Sequence, residues 1–339
     1  MDGGYLTVID DIKTRLDIVD VIGAQTPLQK SGKAFKANCP FHQEKTPSMK
    51  INDENRSYYC FGCGAKGDIF TIYTDLYNYT FHDAVEELAQ KIGIKLQKVN
   101  NKNLEKENNV KKILEITTNW YIQNLKLPEA HSCRKYLKKR NLSDNTIKKF
   151  KLGFSYNSKI TLLEFLKSKS FKESDIIKSN VIKSDKNNKL KDYFYKRLIF
   201  PIEDERGKVV AFGGRSLDNS EPKYINSPES EFFHKRNILY NLFNAKNAAR
   251  KKNNLLICEG YMDVISLYQN GIQSVVAPMG TALTDEQLIL AWKYSSKPTI
   301  MFDGDRAGLR ASFKTALMSL PLITSKSFLQ FVTLNDGYD

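Results

Sequence analysis

The stretch TIMFDGDRAG, residues 299–308, joins a short apolar run to an Asp-Gly-Asp triplet. An apolar run of this length that stops at turn residues is typical of a buried strand. Two earlier runs, NLLICEG (254–260) and SVVAPMG (274–280), have the same form, and helical patterns separate the three. Strands that alternate with helices at this spacing predict a parallel α/β sheet.

Acidic residues end two of the predicted strands. Glu259 ends the first run, and Asp303 and Asp305 end the third. Ligands of an open parallel sheet collect at the carboxyl ends of its strands, where a few carboxylates and substrate phosphates can hold Mg²⁺. An Asp-Gly-Asp triplet alone also fits an ordinary solvated turn. Because Glu259 lies at an equivalent strand end, we favour a catalytic metal site.

A second set of metal-ligand residues lies near the N-terminus. The pattern is Cys-x2-His, then seventeen residues, then Cys-x2-Cys. Zinc takes four nitrogen or sulfur ligands tetrahedrally, and two such knuckles on a hairpin supply them. Pro40, Gly62 and Gly64 provide the tight backbone turns that knuckles need. We therefore predict one structural zinc ion, bound by Cys39, His42, Cys60 and Cys63.

Composition limits the class of protein. A chain of 339 residues suits two or three domains, and five cysteines argue against a disulfide scaffold. No apolar run reaches the roughly 18 residues of a membrane helix, and the start MDGGYLTVIDDIK lacks an apolar signal region, so we expect a cytoplasmic protein. The net charge of +14 indicates either a polyanionic partner such as nucleic acid or a solvated lysine-rich surface.

The stretch QKVNNKNLEKENNVKK, residues 97–112, has little to bury and is interpreted as a linker that grades into a helix. It separates a zinc-binding domain (1–97) from two further parts (113–251 and 252–339), with the linker itself at 98–112. The predicted fold class is α/β multidomain: a small zinc-ribbon domain with flanking helices, a mixed α+β subdomain, and a parallel α/β subdomain.

Basic and aromatic residues around the knuckles suit single-stranded nucleic acid, or the aromatics form the core that zinc supports.

Together, in this order, the motifs resemble those of the bacterial replicative DNA primases of the DnaG type. The resemblance covers nearly the whole chain and implies a Toprim-like fold for its last part. Matching stretches for the zinc-binding domain, the RNA polymerase core and the Toprim fold are, in chain order, CPFHQEKTPSM (39–49), YYCFGCGAKGDIF (58–70), KRLIFPIEDERGKVVAFGGRSL (196–217), EPKYINSPESEFFHKRNILYN (221–241), CEGYMDVISLYQNGI (258–272), VAPMGTALTDEQL (276–288) and FDGDRAG (302–308).

The resemblance implies template-directed synthesis of short RNA primers on single-stranded DNA, by two-metal nucleotidyl transfer from ribonucleoside triphosphates with Mg²⁺ or Mn²⁺. It implies a replicative helicase and a single-stranded DNA-binding protein as partners at the nucleoid. Glu259 matches the first Toprim acid. Asp303 and Asp305 match the paired metal ligands of that fold. Asp339 matches the first aspartate of a last acidic motif. The basic positions that match template or nucleotide contacts are Arg140, Arg197, Arg215, Lys223 and Lys235.

Some positions depart from the family pattern. Tyr193 and Tyr195 stand where further arginines are usual, and Arg236 stands where glycine is usual. Because Asp339 is the last residue, we expect either a C-terminally truncated chain or an unusually short family member, with an incomplete metal site, weak or absent activity, and no helicase-docking domain.

The alternatives are another Toprim enzyme, such as a topoisomerase or a nuclease, and a non-catalytic zinc-dependent DNA-binding module. A topoisomerase needs a nucleophilic tyrosine in a separate domain, for which the chain has little room. The acids at Glu259, Asp303 and Asp305 argue against a module that has lost its catalytic site.

Overall fold

The computed structural model describes residues 3–77, 79, 81–94, 101–156, 160–218, 220–280, 282–325 and 327–335, without the side chains of 3–6 and 101–106. The chain divides into two compact units. Unit 1 comprises residues 1–100 and 246–254, and unit 2 comprises residues 101–245 and 255–339. None of the helices in the described ranges has both the length and the apolar character that crossing a membrane requires.

Unit 1 is an antiparallel sheet of five strands flanked by helices, as predicted for the zinc-binding domain. Consecutive strands pair with each other, so the sheet is a meander. Asp68 caps the helix after the sheet, since its carboxylate accepts from the N–H of Thr71 at 3.0 Å. The elements are α1 (Gly3–Arg15), α2 (Ile18–Gly23), β1 (Leu28–Ser31), β2 (Ala34–Ala37), β3 (Met49–Asn52), β4 (Ser57–Cys60), β5 (Lys66–Gly67), α3 (Ile69–Leu76) and α4 (Phe81–Lys91).

The first half of unit 2 packs helices against an antiparallel sheet in the order β11-β10-β9-β6, with β7 and β8 as a separate hairpin. This arrangement confirms the predicted mixed α+β subdomain. Its elements are α5 (Asn101–Lys126), a 3-10 turn (Pro128–Ala130), α6 (His131–Lys139), α7 (Asp144–Lys149), β6 (Gly153–Ser155), α8 (Leu162–Ser168), α9 (Glu173–Lys178), β7 (Ile182–Ser184), β8 (Leu190–Asp192), β9 (Arg197–Glu203), β10 (Val209–Ser216) and β11 (Tyr224–Asn226).

The predicted linker at 98–112 is too long, because α5 begins at Asn101. Val110, Ile113 and Leu114 are buried in a core of unit 2. With Thr117, which is also buried, they recur at the i, i+3, i+4, i+7 spacing of one helix face. The polar residues at 101–109 obscure this face in the sequence, and residues 98–100 lie outside the described ranges.

The second half of unit 2 is the predicted α/β sheet. Its strand order is β12-β14-β13-β15-β16, and the last four run parallel while β12 is antiparallel to β14. The elements are a 3-10 turn (Lys235–Asn237), β12 (Leu239–Tyr240), α10 (Leu242–Lys252), β13 (Leu256–Ile257), α11 (Tyr261–Gln269), β14 (Val275–Pro278), α12 (Asp285–Trp292), β15 (Thr299–Phe302), α13 (Arg306–Ser319), a 3-10 turn (Leu320–Leu322) and β16 (Gln330–Thr333). Helix α10 spans the boundary at residue 246, so its second half clusters with unit 1.

Candidate metal centres and nucleic-acid interface

The four predicted zinc ligands converge in unit 1. Their ligand atoms all lie within 4.8 Å of one another. The sulfurs of Cys39 and Cys63 are 3.6 Å apart, and Nδ1 of His42 lies 3.9 Å from the sulfur of Cys60. Ligand atoms of a tetrahedral zinc site, with bonds of about 2.0–2.3 Å, are separated by similar distances. Three sulfurs and a nitrogen are donors that zinc prefers, so these residues fit the ion.

The antiparallel sheet brings the two knuckles together. Cys39 follows β2, Cys60 ends β4, and β3 pairs with both strands. Gly64 has a φ of 73°, a left-handed value that glycine adopts readily. Gly62 is needed for close packing, because a Cβ there would lie 2.7 Å from Nε2 of His42. A side chain at residue 62 would therefore displace the histidine ring.

The two closest sulfurs differ in acidity. The hydrogen bond with Cys63, followed by burial, raises the pKa of the Cys39 thiol, and the hydrogen bond with Cys39 lowers the pKa of Cys63. This environment favours the thiolate of Cys63 over that of Cys39. Since zinc binds thiolates, a pair that already favours one thiolate is suited to metal binding.

Two of the predicted catalytic acids meet at the carboxyl edge of the parallel sheet. Because β13 and β15 are adjacent and parallel, Glu259 and Asp303 follow neighbouring strand ends. Oε1 of Glu259 accepts a hydrogen bond from the backbone N–H of Asp303 at 3.0 Å. Burial and the nearby carboxylates of Asp303 and Asp305 raise the pKa of Glu259, against the effect of that hydrogen bond. The edge thus concentrates negative charge.

Asp305 has an observed structural role. Its carboxylate accepts from the backbone N–H groups of Ala307 and Gly308, each at 2.8 Å, and so caps α13. Among the described residues, only the Cys/His set converges as a group of three or more such ligands, and the three acids do not. Their joint metal site stays a prediction. The fourth predicted acid, Asp339, lies outside the described residues.

Two of the predicted basic contacts share one aromatic ring. The guanidinium carbon of Arg215, on β10, lies 4.1 Å from the ring centre of Tyr136 and 5.7 Å from that of Tyr224. The guanidinium of Arg140, after α6, lies 5.7 Å from the same Tyr136 ring. Cations at these distances are attracted to the face of an aromatic ring. Within the described ranges no carboxylate forms an ion pair with Arg215, so its charge is not neutralised there.

The other three predicted basic contacts are arranged differently. Arg197 is buried, with 8% of its surface exposed, and donates to the carbonyls of Gly214 and Lys223 at 3.4 and 3.2 Å. It therefore holds the backbone beside Arg215 and Lys223. Lys223 itself is exposed, and Lys235 is half-buried in a 3-10 turn. A role for Arg197 through direct contact with nucleic acid stays a prediction, and its observed contacts are with the protein.

The positions that depart from the family pattern have separate surroundings. Tyr193 donates from its hydroxyl to the carbonyl of Asn226 at 3.2 Å and contributes to packing. Tyr195 is 55% exposed, so its ring is accessible for stacking. Arg236, which stands where the family usually has glycine, forms an exposed ion pair with Glu286 at 2.9 Å. The positive charge of this arginine is therefore paired within the protein.

Two aromatic residues were not singled out from the sequence, Tyr136 and Tyr261, which contact the predicted basic residues or the strands that carry them. Tyr136 lies in an amphipathic helix, where a tyrosine is usually interpreted as core. Tyr261, in the EGYMD stretch, donates to Oδ1 of Asn226 at 2.6 Å, and a Cβ on Gly213 would lie 2.6 Å from the Tyr261 ring. Only the presence of glycine within the strand before Arg215 signals this close approach. These contacts join the predicted basic strand to the acid-bearing sheet within unit 2.

Three family models match consecutive parts of the chain. They describe a CHC2 zinc finger over residues 5–104, the N-terminal domain of the DNA primase catalytic core over 120–246, and a Toprim-like domain over 256–330. The order of the matches agrees with the order of the zinc-ligand, basic and acidic motifs.

Curated relatives align with nearly the whole chain. It is 36% identical to the DNA primase of Pasteurella multocida and 37% identical to that of Escherichia coli K12. Each alignment covers 98% of this chain and 58% of the relative. The chain thus spans less than two thirds of the length of these relatives.

Solved structures show the same architecture. The zinc-binding and RNA polymerase domains of the Aquifex aeolicus primase align with a TM-score of 0.64 and 33% identity, over 98% of this chain and 80% of that one. A DnaG primase catalytic domain bound to single-stranded DNA aligns with a TM-score of 0.63 and 35% identity, over 70% and 74% of the two chains.

Proposed function

The chain belongs to the family of DnaG-type bacterial DNA primases, and we propose that it is a DNA-directed RNA polymerase that synthesises short RNA primers on single-stranded DNA. The observation that carries this proposal is the hydrogen bond from the Asp303 backbone to Glu259. It joins acids from two neighbouring parallel strands at one edge of a Toprim-like sheet, where oxygen ligands for hard cations are expected.

The proposed reaction is nucleotidyl transfer. The 3′-hydroxyl of the growing primer attacks the α-phosphorus of a ribonucleoside triphosphate, and pyrophosphate leaves. We propose that Glu259, Asp303 and Asp305 hold divalent cations, Mg²⁺ or Mn²⁺, which when bound supply charge neutralisation for the phosphates. The carboxylate donors fit such hard cations. Capping of α13 by Asp305 fixes one of these carboxylates in place.

The basic surface is proposed to hold the template and nucleotide phosphates. Arg215 and Arg140 lie against Tyr136, and Lys223 lies next to Tyr224, whose ring Arg215 also approaches. Cations position a nucleic-acid backbone without reading its sequence, and adjacent aromatic rings can stack on bases. The relative solved with single-stranded DNA supports the same class of ligand for this chain. The family also supports replicative helicase and single-stranded DNA-binding protein as proposed partners in the cytoplasm.

The test is ribonucleotide incorporation on a defined single-stranded template with Mg²⁺ or Mn²⁺. Because weak or absent activity is expected of this chain, the assay is carried out both with it and with a longer chain that covers the full length of the relatives. We expect Asp305→Ala and Asp303→Asn to reduce incorporation to background, because each removes a proposed cation ligand. The control is Asp285→Ala, which removes an exposed acid from the first turn of α12. Undiminished incorporation by Asp305→Ala would contradict the proposal.

A second measurement does not need turnover. Binding of Mn²⁺ to the same proteins can be followed by electron paramagnetic resonance of the free ion. We expect binding to the Asp305→Ala variant to be at least tenfold weaker than to the wild type and to Asp285→Ala.

Nicking of supercoiled DNA by the wild type, with no RNA product, would instead support a different Toprim enzyme.

A further inference from the structure

Glu44 follows the first zinc knuckle, two residues after His42 and five after Cys39. Only 11% of its side chain is exposed. Its Oε1 accepts from the backbone N–H of Cys39 at 2.6 Å and from that of Ser48 at 3.1 Å. Its Oε2 lies 3.0 Å from Nε2 of His42. One buried carboxylate thus contacts two ligand residues and the backbone that leads into β3.

The two ring nitrogens of His42 face different partners. Nδ1 points toward the sulfur of Cys60, and Nε2 points toward Glu44. The ring has little freedom to turn, because the space beside Nε2 is too small for even a Cβ on Gly62. A histidine that ligates through Nδ1 carries its proton on Nε2, where a carboxylate can accept it.

Glu44 also reaches the second knuckle through Ser48. The Ser48 hydroxyl lies 3.1 Å from the sulfur of Cys60, and the N–H of Phe61 donates to the Ser48 carbonyl at 2.9 Å. Fixing the Ser48 backbone therefore helps to fix Cys60. The knuckles are linked by these hydrogen bonds as well as by the strand pairing of β3 and β4.

We propose that Glu44 is a positioning residue of the zinc centre, which holds His42 in the tautomer that presents Nδ1 to the ion and braces the ligand-bearing loop. Outer carboxylates on metal-bound histidines fix the orientation of the ring and raise its basicity, and their loss commonly weakens metal binding 10- to 100-fold. This inference rests on the proposal that Cys39, His42, Cys60 and Cys63 bind zinc.

The experiment separates orientation of the histidine from bracing of the loop. In Glu44→Gln the amide oxygen can still accept from the two backbone N–H groups. The amide nitrogen then faces the Nε2–H of His42, and no hydrogen bond forms between them because both groups are donors. In Glu44→Ala both functions are lost. The matched control is Glu54→Gln, an acid in the same unit whose side chain is 69% exposed.

Zinc affinity of the whole chain is measured by competition with a chromophoric chelator. The tautomer of His42 is read from ¹⁵N imidazole shifts, which are tractable because the chain has four histidines. We expect Glu44→Gln to bind one zinc 10- to 100-fold more weakly, with changed His42 shifts, and Glu54→Gln to match the wild type. Wild-type affinity and shifts in Glu44→Gln, together with a weakened Glu44→Ala, would show a loop brace only and overturn the proposal.

Two further outcomes are decisive. If Glu44→Gln does not fold, Glu44→Asp keeps the charge but withdraws it by one methylene, so wild-type affinity and shifts there would overturn the proposal. A wild-type chain that takes up no zinc would overturn the metal assignment itself. That failure is distinguishable, since it appears before any variant is compared.

Discussion

At the residue scale, the ring of Tyr136 is the point where two predicted basic contacts meet. The guanidinium groups of Arg215 and Arg140 both lie within cation–π distance of it. Nε of Arg215 is buried without a hydrogen-bond partner in the described part of the chain, and the guanidinium also approaches the ring of Tyr224, at 5.7 Å. Tyr136 therefore orients a cation that is proposed to bind phosphate.

We predict that Tyr136→Leu weakens binding of single-stranded DNA about fivefold, since a cation–π contact is worth about 1 kcal/mol. Tyr136→Phe should bind as the wild type does. It keeps the ring, and the Tyr136 hydroxyl has no hydrogen-bond partner among the described residues. Fluorescence anisotropy at fixed salt measures the affinities. Equal binding by the Leu and Phe variants would show that the ring is not used.

At the element scale, α13 packs tightly against the acids. A Cβ on Gly308 would lie 2.2 Å from the carbonyl oxygen of Asp303 and 2.8 Å from Oε1 of Glu259. We predict that Gly308→Ala destabilises the protein by about 1–3 kcal/mol and weakens Mn²⁺ binding, because α13 must move away from the strand ends. Chemical denaturation measures the stability.

The control is Gly280→Ala, since a Cβ there meets nothing within 4 Å. Its free energy of unfolding should stay near that of the wild type. If the two alanine variants are equally stable, the close approach of α13 is not required.

The β7–β8 hairpin provides a pH-dependent element. Asp185 pairs with Lys191 at 2.8 Å and accepts from the N–H groups of Asn187 and Lys189, each at 2.9 Å. The hydrogen bond from Lys191, followed by that from the Lys189 backbone, lowers the pKa of Asp185 to about 2. Because the folded pKa lies below the usual value of about 3.9, the stabilisation is full above that value and is lost as pH falls toward 2.

We predict that Asp185→Asn accelerates amide exchange in β7 and β8 at neutral pH, and that the difference from the wild type shrinks below about pH 4. Lys191→Met should raise the pKa of Asp185 toward its usual value, as followed by ¹³C carboxylate shifts. An Asp185 midpoint near 3.9 in the wild type would argue against the hairpin contacts.

Comparison of the predicted and observed elements shows which features local sequence patterns can predict. The apolar runs around β13, β14 and β15 predicted their strands, and the knuckle spacing predicted the zinc cluster, because both patterns are local. The stretch 97–112 was interpreted as a linker that grades into a helix, and α5 begins at Asn101, early in that stretch. Arg197 was predicted to contact template or nucleotide. Its guanidinium donates to backbone carbonyls in this structure, and the nucleic-acid contact stays a prediction. Residue types and spacing do not give the direction of a side chain.

At the scale of the whole molecule, the cores of the two units differ in whether they include proposed metal ligands. The core of unit 1 includes three proposed zinc ligands, Cys39, Cys60 and Cys63, among its buried residues. Two cores within the described part of unit 2 are apolar and aromatic and contain none of the proposed zinc ligands. Small domains commonly require such a metal, whereas larger cores are stable without one.

We predict that removal of zinc with a chelator exposes residues 1–94 to hydrogen exchange and leaves protection in β9, β10 and β15 unchanged. Mass spectrometry of peptides from each unit measures both effects in one sample. Cys60→Ser should behave like the chelated wild type without any chelator. Loss of protection in both units at the same chelator concentration would contradict the prediction that unit 2 keeps its structure without zinc.

The carboxylates at the sheet edge are held by the backbone: Glu259 by the N–H of Asp303, and Asp305 by those of Ala307 and Gly308. Groups that are already fixed lose little conformational freedom when a ligand arrives. The rate of ion capture at this edge should then follow how fast the incoming ion sheds its water. Mg²⁺ gives up its water reluctantly, so loading with this ion should be slow for a reason that lies in the solvent and not in the fold.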